Sequence, residues 1–256
     1  MKFDDLAGKT AVVTGGGRGL GLSLAEAFAA QGMRVALLDV LPEVEAAAAD
    51  LAARHGVSAV GLRVDVTDTE QIEGAFARVS YELGTPQVVL TAAGITLLKP
   101  SIEITPEEWR RVQSINVDGT FFTVQAFAKH LIAAGLPGSA ILVSSMSGRV
   151  VNVPQQQTAY NTSKAAVGHL AASLAVEWAA QGIRVNAIAP GYFLSDMTKQ
   201  FTESNPELAA DWLSRIPAGR MGEPGDLHGL VAFLASDVSQ YLTAQSVVID
   251  GGYTAI

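Results

Sequence analysis

Tyr160 and Lys164 stand four residues apart near the start of a stretch, residues 158–181, whose apolar positions recur with helical spacing. Side chains at that separation share one face of a helix. An ammonium beside a phenol favours the phenolate and lowers the tyrosine's pKa. The result is a general base able to take a proton from an alcohol near neutral pH. Taken alone, the pair reads better as a half-exposed tyrosine beside a surface lysine. Two further groups change that balance. An apolar run ends in Val143-Ser144-Ser145-Met146-Ser147-Gly148, whose serine hydroxyl could hold a substrate oxygen beside Tyr160. Asn116 lies inside a helical stretch, residues 107–134, where Asn is a poor helix former. Its amide could distort the helix and hold a water leading from Lys164 to solvent, or simply face solvent.

These groups need a scaffold and a redox partner, and the amino-terminal third supplies the signals for both. The apolar segment Ala11-Val12-Val13 runs into Thr14-Gly15-Gly16-Gly17-Arg18-Gly19-Leu20-Gly21 and then into a helical pattern. Glycines in that context let the backbone approach a pyrophosphate. The N–H groups of the following helix then face the anion. The next β-branched run ends in Asp39, eighteen residues beyond Gly21. A carboxylate there can accept hydrogen bonds from adenosine ribose hydroxyls and repels a 2′-phosphate, so NAD is favoured over NADP. Arg18 could pair with such a phosphate, lie along solvent or contact Asp39. Asp65-Val66 closes the third run; Asp65 either holds an adenine amino group, with Val66 flanking the ring, or caps the next turn.

Short β-branched runs at 10–14, 34–39, 59–64, 87–91, 140–144, 184–188 and 246–249 alternate with helical stretches at 20–31, 70–83, 107–134, 158–181 and 225–235. Such alternation predicts an α/β fold of Rossmann type. The expectation is a single domain over residues 1–256, with a doubly wound, mainly parallel seven-stranded sheet and helices on both faces. Residues 191–220 break the pattern with polar, Met and aromatic residues and with Pro206 and Pro217. They follow a strand, hence lie at the carboxyl edge of the sheet where ligands bind, and are read as a substrate lid.

Composition sets the outer bounds. Hydrophobic residues make up 49% and charged residues 16%, and the mean hydropathy is +0.28, so the chain can bury a full core. A net charge of −8 disfavours nucleic acid and anionic membranes as partners. The absence of cysteine excludes disulfides, thiolate nucleophiles and Cys-ligated metals. His55, His130, His169 and His228 show no metal-ligand spacing. The first residues show no signal-peptide pattern and no stretch reads as a membrane span, so a cytoplasmic protein is expected. Thr105-Pro106-Glu107-Glu108 reads as a helix cap, and Trp109 and Trp178 as helix-packing residues.

Together these motifs resemble the short-chain dehydrogenase/reductase family from Gly8 to about Tyr253. The likeness rests on Thr14-Gly15-x-x-x-Gly19-x-Gly21, Asn116 with Gly119, Ser145, Tyr160-x-x-x-Lys164 and Pro190-Gly191. The resemblance implies a catalytic tetrad of Asn116, Ser145, Tyr160 and Lys164. It implies that Gly15, Gly19, Leu20, Gly21, Ala93 and Gly94 lie along the cofactor. It also implies that Ser195 and the backbone near Phe193 meet the nicotinamide carboxamide, and that the chain forms a homodimer or homotetramer.

Two departures stand out. The family's usual Asn-Asn-Ala-Gly is Thr91-Ala92-Ala93-Gly94 here, so a polar link is lost or replaced by the Thr91 hydroxyl. Many members place the serine thirteen residues before the tyrosine, which fits Ser147, whereas Ser145 is fifteen before it and has Gly148 three residues on. Ser145 is preferred and Ser147 remains a rival.

The segment through Asn152-Val153-Pro154-Gln155 and the ending Asp250-Gly251-Gly252-Tyr253 are similar to polyol dehydrogenases of that family. Asn152, Gln155, Gln156 and Gln157 could bind several hydroxyls, or form a polar loop exposed to water. The expected reaction is hydride transfer between NAD(H) and a secondary alcohol or ketone, with a polyol/ketose pair as substrate. A 3-oxoacyl thioester, with Lys199, Arg215 and Arg220 near the site mouth, is one alternative. A dinucleotide sensor without turnover is another.

Overall fold

The period-two alternation along each strand decides which of two cores a side chain enters. In the computed structural model, which describes residues 2–194 and 204–256, Ala11 and Val13 point to one face of the sheet and Val12 to the other. Val35 and Leu37 oppose Ala36 and Leu38 in the same way, and Ile141 and Val143 oppose Ala140 and Leu142. Strands buried on both faces need helices on both faces. Leu24, Phe28, Leu51 and Val231 cover one side; Ile72, Phe76, Phe127 and Val167 cover the other.

The elements run β1 (Thr10–Thr14), α1 (Gly19–Ala30), β2 (Arg34–Asp39), α2 (Val44–His55), β3 (Ala59–Arg63), α3 (Thr69–Leu83) and β4 (Val88–Thr91). There follow α4 (Pro106–Gln113), α5 (Gly119–Ala134), β5 (Gly138–Val143), α6 (Thr158–Trp178) and β6 (Ile183–Pro190). The chain closes with α7 (Pro206–Ser214), α8 (His228–Ala235) and β7 (Ser246–Ile249). The seven strands lie in the order β3-β2-β1-β4-β5-β6-β7, and every pairing is parallel. β1 is therefore flanked by β2 and β4, and the chain leaves it in opposite directions along the sheet. That divergence opens a crevice at the carboxyl ends of β1 and β4. Among the described residues no helix is long and apolar enough to cross a membrane.

Several details differ from the periodicity. The 107–134 stretch is not one helix: α4 passes through a π-helical turn, Ser114–Asp118, into α5. Residues 206–214, inside the irregular 191–220 region, form α7. The cap at Thr105 is present, with Glu108 N–H donating to Thr105 Oγ1 and Thr105 N–H to Glu108 Oε2. Trp178 is buried as expected, whereas Trp109 is 37% exposed because α4 turns that side outward.

Phe28 carries no exposed surface and seats α1 on the sheet. Phe28→Ala is expected to lower the unfolding free energy by about 3–5 kcal/mol. Urea titration checks this, and a loss below about 1 kcal/mol would show that α1 is not anchored through this ring.

Candidate active site

The phosphate loop takes its shape from close backbone approach. Gly15 has φ +65°, and a Cβ there would lie 2.7 Å from the Ala93 nitrogen. A Cβ on Gly21 would lie 2.0 Å from the Gly15 carbonyl oxygen, so the first turn of α1 can rest on the loop only without a side chain. Gly19 opens α1, and Leu20 follows in its first turn, half-buried. The cradle thus joins the end of β1 to the Ala92–Gly94 segment after β4, at the divergence of the sheet. Its free helix N-terminus and Cβ-free walls fit a pyrophosphate.

Asp39, at the end of β2, closes the far side. Its Oδ2 accepts from Gly17 N–H at 2.9 Å and its Oδ1 from Leu41 N–H at 3.1 Å. These bonds hold the carboxylate at the mouth of the cradle without a cation. Arg18 is exposed, and no ion pair joins it to Asp39 among the described residues. Asp65 is exposed, and its Oδ1 accepts from both Thr67 N–H and Thr67 Oγ1. The turn-capping reading is therefore realised at Oδ1. Val66 is buried against the start of α5, where a Cβ on Gly119 would come within 2.7 Å of it. The Thr91 hydroxyl is buried without a hydrogen-bond partner among the described residues, so it does not restore the polar link that the family's asparagine provides.

Asn116 has no exposed surface and sits in the π-helical turn. Its Oδ1 accepts from Ile95 N–H at 2.9 Å, and its Nδ2 donates to Ile95 O at 3.0 Å and to Ser163 Oγ at 2.9 Å. Both ends of the amide are thus engaged by protein, and they staple the chain after β4 to the second turn of α6. The helical distortion expected at Asn116 is present, and its cause is this long-range bonding.

Ser163 passes the restraint on, donating to Tyr160 O at 2.7 Å. Lys164 is 6% exposed, and its Nζ donates to Val143 O, at the end of β5, at 2.8 Å. Its Nζ lies 5.6 Å from the centre of the Tyr160 ring. Ser145 Oγ lies beside the Tyr160 side chain, whose pKa it draws down, and accepts from Ser147 N–H at 3.1 Å. Ser147 Oγ turns the other way and accepts from Gln157 Nε2. Of the two rival serines, Ser145 is the one that meets the tyrosine.

The electrostatics differ from the sequence expectation. Burial pushes the Tyr160 phenol above its ordinary value, and the hydrogen bond from Ser145 draws it only partly back. Burial pulls Lys164 down to about 8. Desolvation is thus the largest influence on both groups. Tyr160 keeps its proton at neutral pH in the protein by itself.

Phe193 is buried with its ring against Gly222, to which the chain forms a short parallel bridge, so only its backbone is left for a ligand. Ser195 and Lys199 lie outside the described residues. Arg215 pairs with Asp211, and Arg220 with Asp226. Sequence reasoning missed Tyr192. It stacks on Trp212 of α7 with ring centres 4.2 Å apart, and its hydroxyl meets Asn152 and Gln155. Its place directly after Pro190-Gly191 was the only available signal. Among the described residues no group of three or more His, Asp or Glu side chains is placed to hold a metal.

Residues 15–254 match a family model described as enoyl-(acyl carrier protein) reductase. A crystal structure of a short-chain type dehydrogenase/reductase from Mycobacterium marinum superposes with a TM-score of 0.93 at 40% identity, covering 99% of this chain and 98% of that one. The chain belongs to the short-chain dehydrogenase/reductase family. It is an oxidoreductase of a dinucleotide-dependent family. A galactitol 2-dehydrogenase (L-tagatose-forming) from Cereibacter sphaeroides is 42% identical over 251 residues, 97% of this chain and 96% of that protein. A crystal structure of a gluconate 5-dehydrogenase from Burkholderia cenocepacia, in complex with NADP and tartrate, superposes with a TM-score of 0.92 at 30% identity and covers 99% of this chain and 98% of that one.

Lys164 carries a stability prediction. Its folded pKa of about 8 lies below the ordinary 10.5, so between these values the unfolded chain binds the extra proton and stability rises with pH. The buried charge therefore opposes folding fully below about pH 8. Relative to Lys164→Met, the wild type is expected to gain on the order of 3 kcal/mol between pH 7 and pH 10.5. Parallel urea titrations of the two proteins that ran at a constant offset would show that the ammonium is not desolvated.

Proposed function

We propose that this enzyme interconverts a secondary hydroxyl and a ketone on an open-chain polyol/ketose pair, with NAD(H) as its dinucleotide. One observation carries the reading: Ser145, Tyr160 and Lys164 converge at the carboxyl edge beside the glycine cradle. Gly15, Gly19, Leu20 and Gly21 would hold the pyrophosphate, Asp39 the adenosine ribose, and Asp65 with Val66 the adenine. Ala93 and Gly94 would lie beside the adenine-side ribose, and Tyr160 and Lys164 at the nicotinamide-side ribose; the Phe193 backbone, with Arg18 at the loop's outer rim, would complete the contacts. The nicotinamide supplies the hydride acceptor or donor.

The chain's own groups handle the proton. Ser145 Oγ orients the substrate oxygen, and the Tyr160 hydroxyl exchanges a proton with it. The raised phenol pKa favours the acid form, which suits proton delivery to a ketone oxygen. In the oxidative direction the phenolate needs the Lys164 ammonium nearby. Asn116 acts by position, fixing the turn of α6 that carries Tyr160 and Lys164. Within the 191–220 segment read as a lid, α7 packs Trp212 over Tyr192.

Substrate class rests on the likeness to a galactitol dehydrogenase and on the amide-rich segment after β5. The thioester alternative loses support because Arg215 and Arg220 are paired with acids. A sensor without turnover would have no use for the Ser145–Tyr160 bond. NAD is favoured by the Asp39 carboxylate, which a 2′-phosphate would meet with like charge. The same reading takes the enzyme as a cytoplasmic homotetramer or homodimer, with the exposed apolar side chains of Ile102, Trp109 and Val176 available to be covered.

Tyr160→Phe is expected to cut turnover of galactitol with NAD by at least about 10²-fold while dinucleotide binding by calorimetry stays within about twofold. Turnover retained in that variant would remove Tyr160 from the chemistry. Asp39→Ser is expected to weaken NAD and strengthen NADP, narrowing the ratio of their dissociation constants by about tenfold or more. An unchanged ratio would mean that the carboxylate does not read the ribose.

A further inference from the structure

The segment after β5 brings several amides to the site, and the structure spends most of them on one another. Gln157 is buried, with Nε2 at 3.3 Å from both Ser147 Oγ and Asn152 Oδ1. Asn152, equally buried, turns its Nδ2 to the Tyr192 hydroxyl oxygen at 3.1 Å. That hydroxyl donates in turn to Gln155 Oε1 at 3.1 Å. An amide whose oxygen is bound presents its NH2 on the other side, so each bond fixes the polarity of the next.

The sequence of donors runs one way, from Gln157 through Asn152 and Tyr192 to Gln155. Gln155 is left half-buried with its Nε2 as the open end. It borders a cleft of about 270 Å³ with Leu98, Lys99, Pro154 and Leu208, between the chain after β4 and the lid helix α7. Tyr192 is the link that can be removed without emptying the core. Its ring is held by the stack on Trp212 and by an edge contact to Tyr253, with centres 5.4 Å apart. Burial pushes its phenol up to about 12, so it remains a donor at any working pH and the polarity does not invert.

We propose that Tyr192 is a specificity-determining positioning residue. It locks Gln155 so that Nε2 donates a hydrogen bond to a substrate oxygen remote from the reacting carbon, selecting polyhydroxylated chains over mono-oxygenated alcohols. This rests on the polyol reading above. Asn152 and Gln157, expected from sequence to touch substrate, act instead by aiming Tyr192.

The experiment measures kcat and KM for galactitol and for 2-pentanol, which has a single oxygen, in wild type, Tyr192→Phe, Gln155→Leu and the double variant. Each single variant is expected to raise the galactitol KM about tenfold with kcat within about threefold, and to leave both constants for 2-pentanol unchanged. The double variant is expected to match Gln155→Leu alone, because Tyr192 acts through Gln155. An unchanged galactitol KM in Tyr192→Phe overturns the inference, as do equal losses on both substrates or additive losses in the double variant. Wild-type turnover of 2-pentanol with none of any polyol overturns the polyol reading and this inference together, a result distinct from the others.

Discussion

A single buried amide holds the site in register. Asn116 reaches the backbone on both sides of Ile95 and the hydroxyl of Ser163, joining the exit of β4, a π-helical turn and the second turn of α6. A buried polar group left without partners costs about 1–3 kcal/mol, so none of the three segments can shift alone. Ser163 hands the restraint to Tyr160 O, and Lys164 anchors the same turn to β5 through Val143 O. The positions of the phenol and the ammonium therefore follow from bonds made by neighbours whose side chains do no chemistry.

Low dielectric is the second constraint, and it reverses a simple electrostatic expectation. Placing a lysine one helical turn from a tyrosine suggests an ammonium that stabilises a phenolate. Here burial drives both groups toward their neutral forms, Lys164 down to about 8 and Tyr160 upward. Proximity in sequence fixes which groups meet; the surrounding medium fixes how they titrate.

The glycine cradle and the segment after β5 are built differently. In the cradle the shape is carried by backbone, with Gly15 packed too closely on Ala93, and Gly21 too closely on Gly15, for a side chain at either glycine, and one carboxylate, Asp39, held by two N–H groups. After β5 it is carried by side-chain polarity, a chain of amides and one phenol that orders itself by donor and acceptor. The first arrangement is common to a family that spans many substrates. The second depends on residues, Asn152, Gln155, Gln157 and Tyr192, that can vary without disturbing the sheet, and so is where substrate choice can be set.

The sequence by itself determined the parallel seven-stranded sheet, because strand alternation and the spacing of helical stretches allow only helix-covered crossovers. It also determined the glycine cradle, the acid at the end of β2 and the Tyr160–Lys164 pair, because each is a local pattern whose meaning is fixed within one strand–turn–helix or one helical turn. It did not determine the break of the 107–134 helix into a π-helical turn. That break depends on Asn116 finding Ile95 across the fold, and a contact between segments 21 residues apart leaves no periodic signal. Nor did it decide between Ser145 and Ser147, or show that Asn152 and Gln157 are buried and bonded to each other, or bring Tyr192 into view. A polar residue's role is set by which partner takes its hydrogen bond, and only the packed structure brings the partners together.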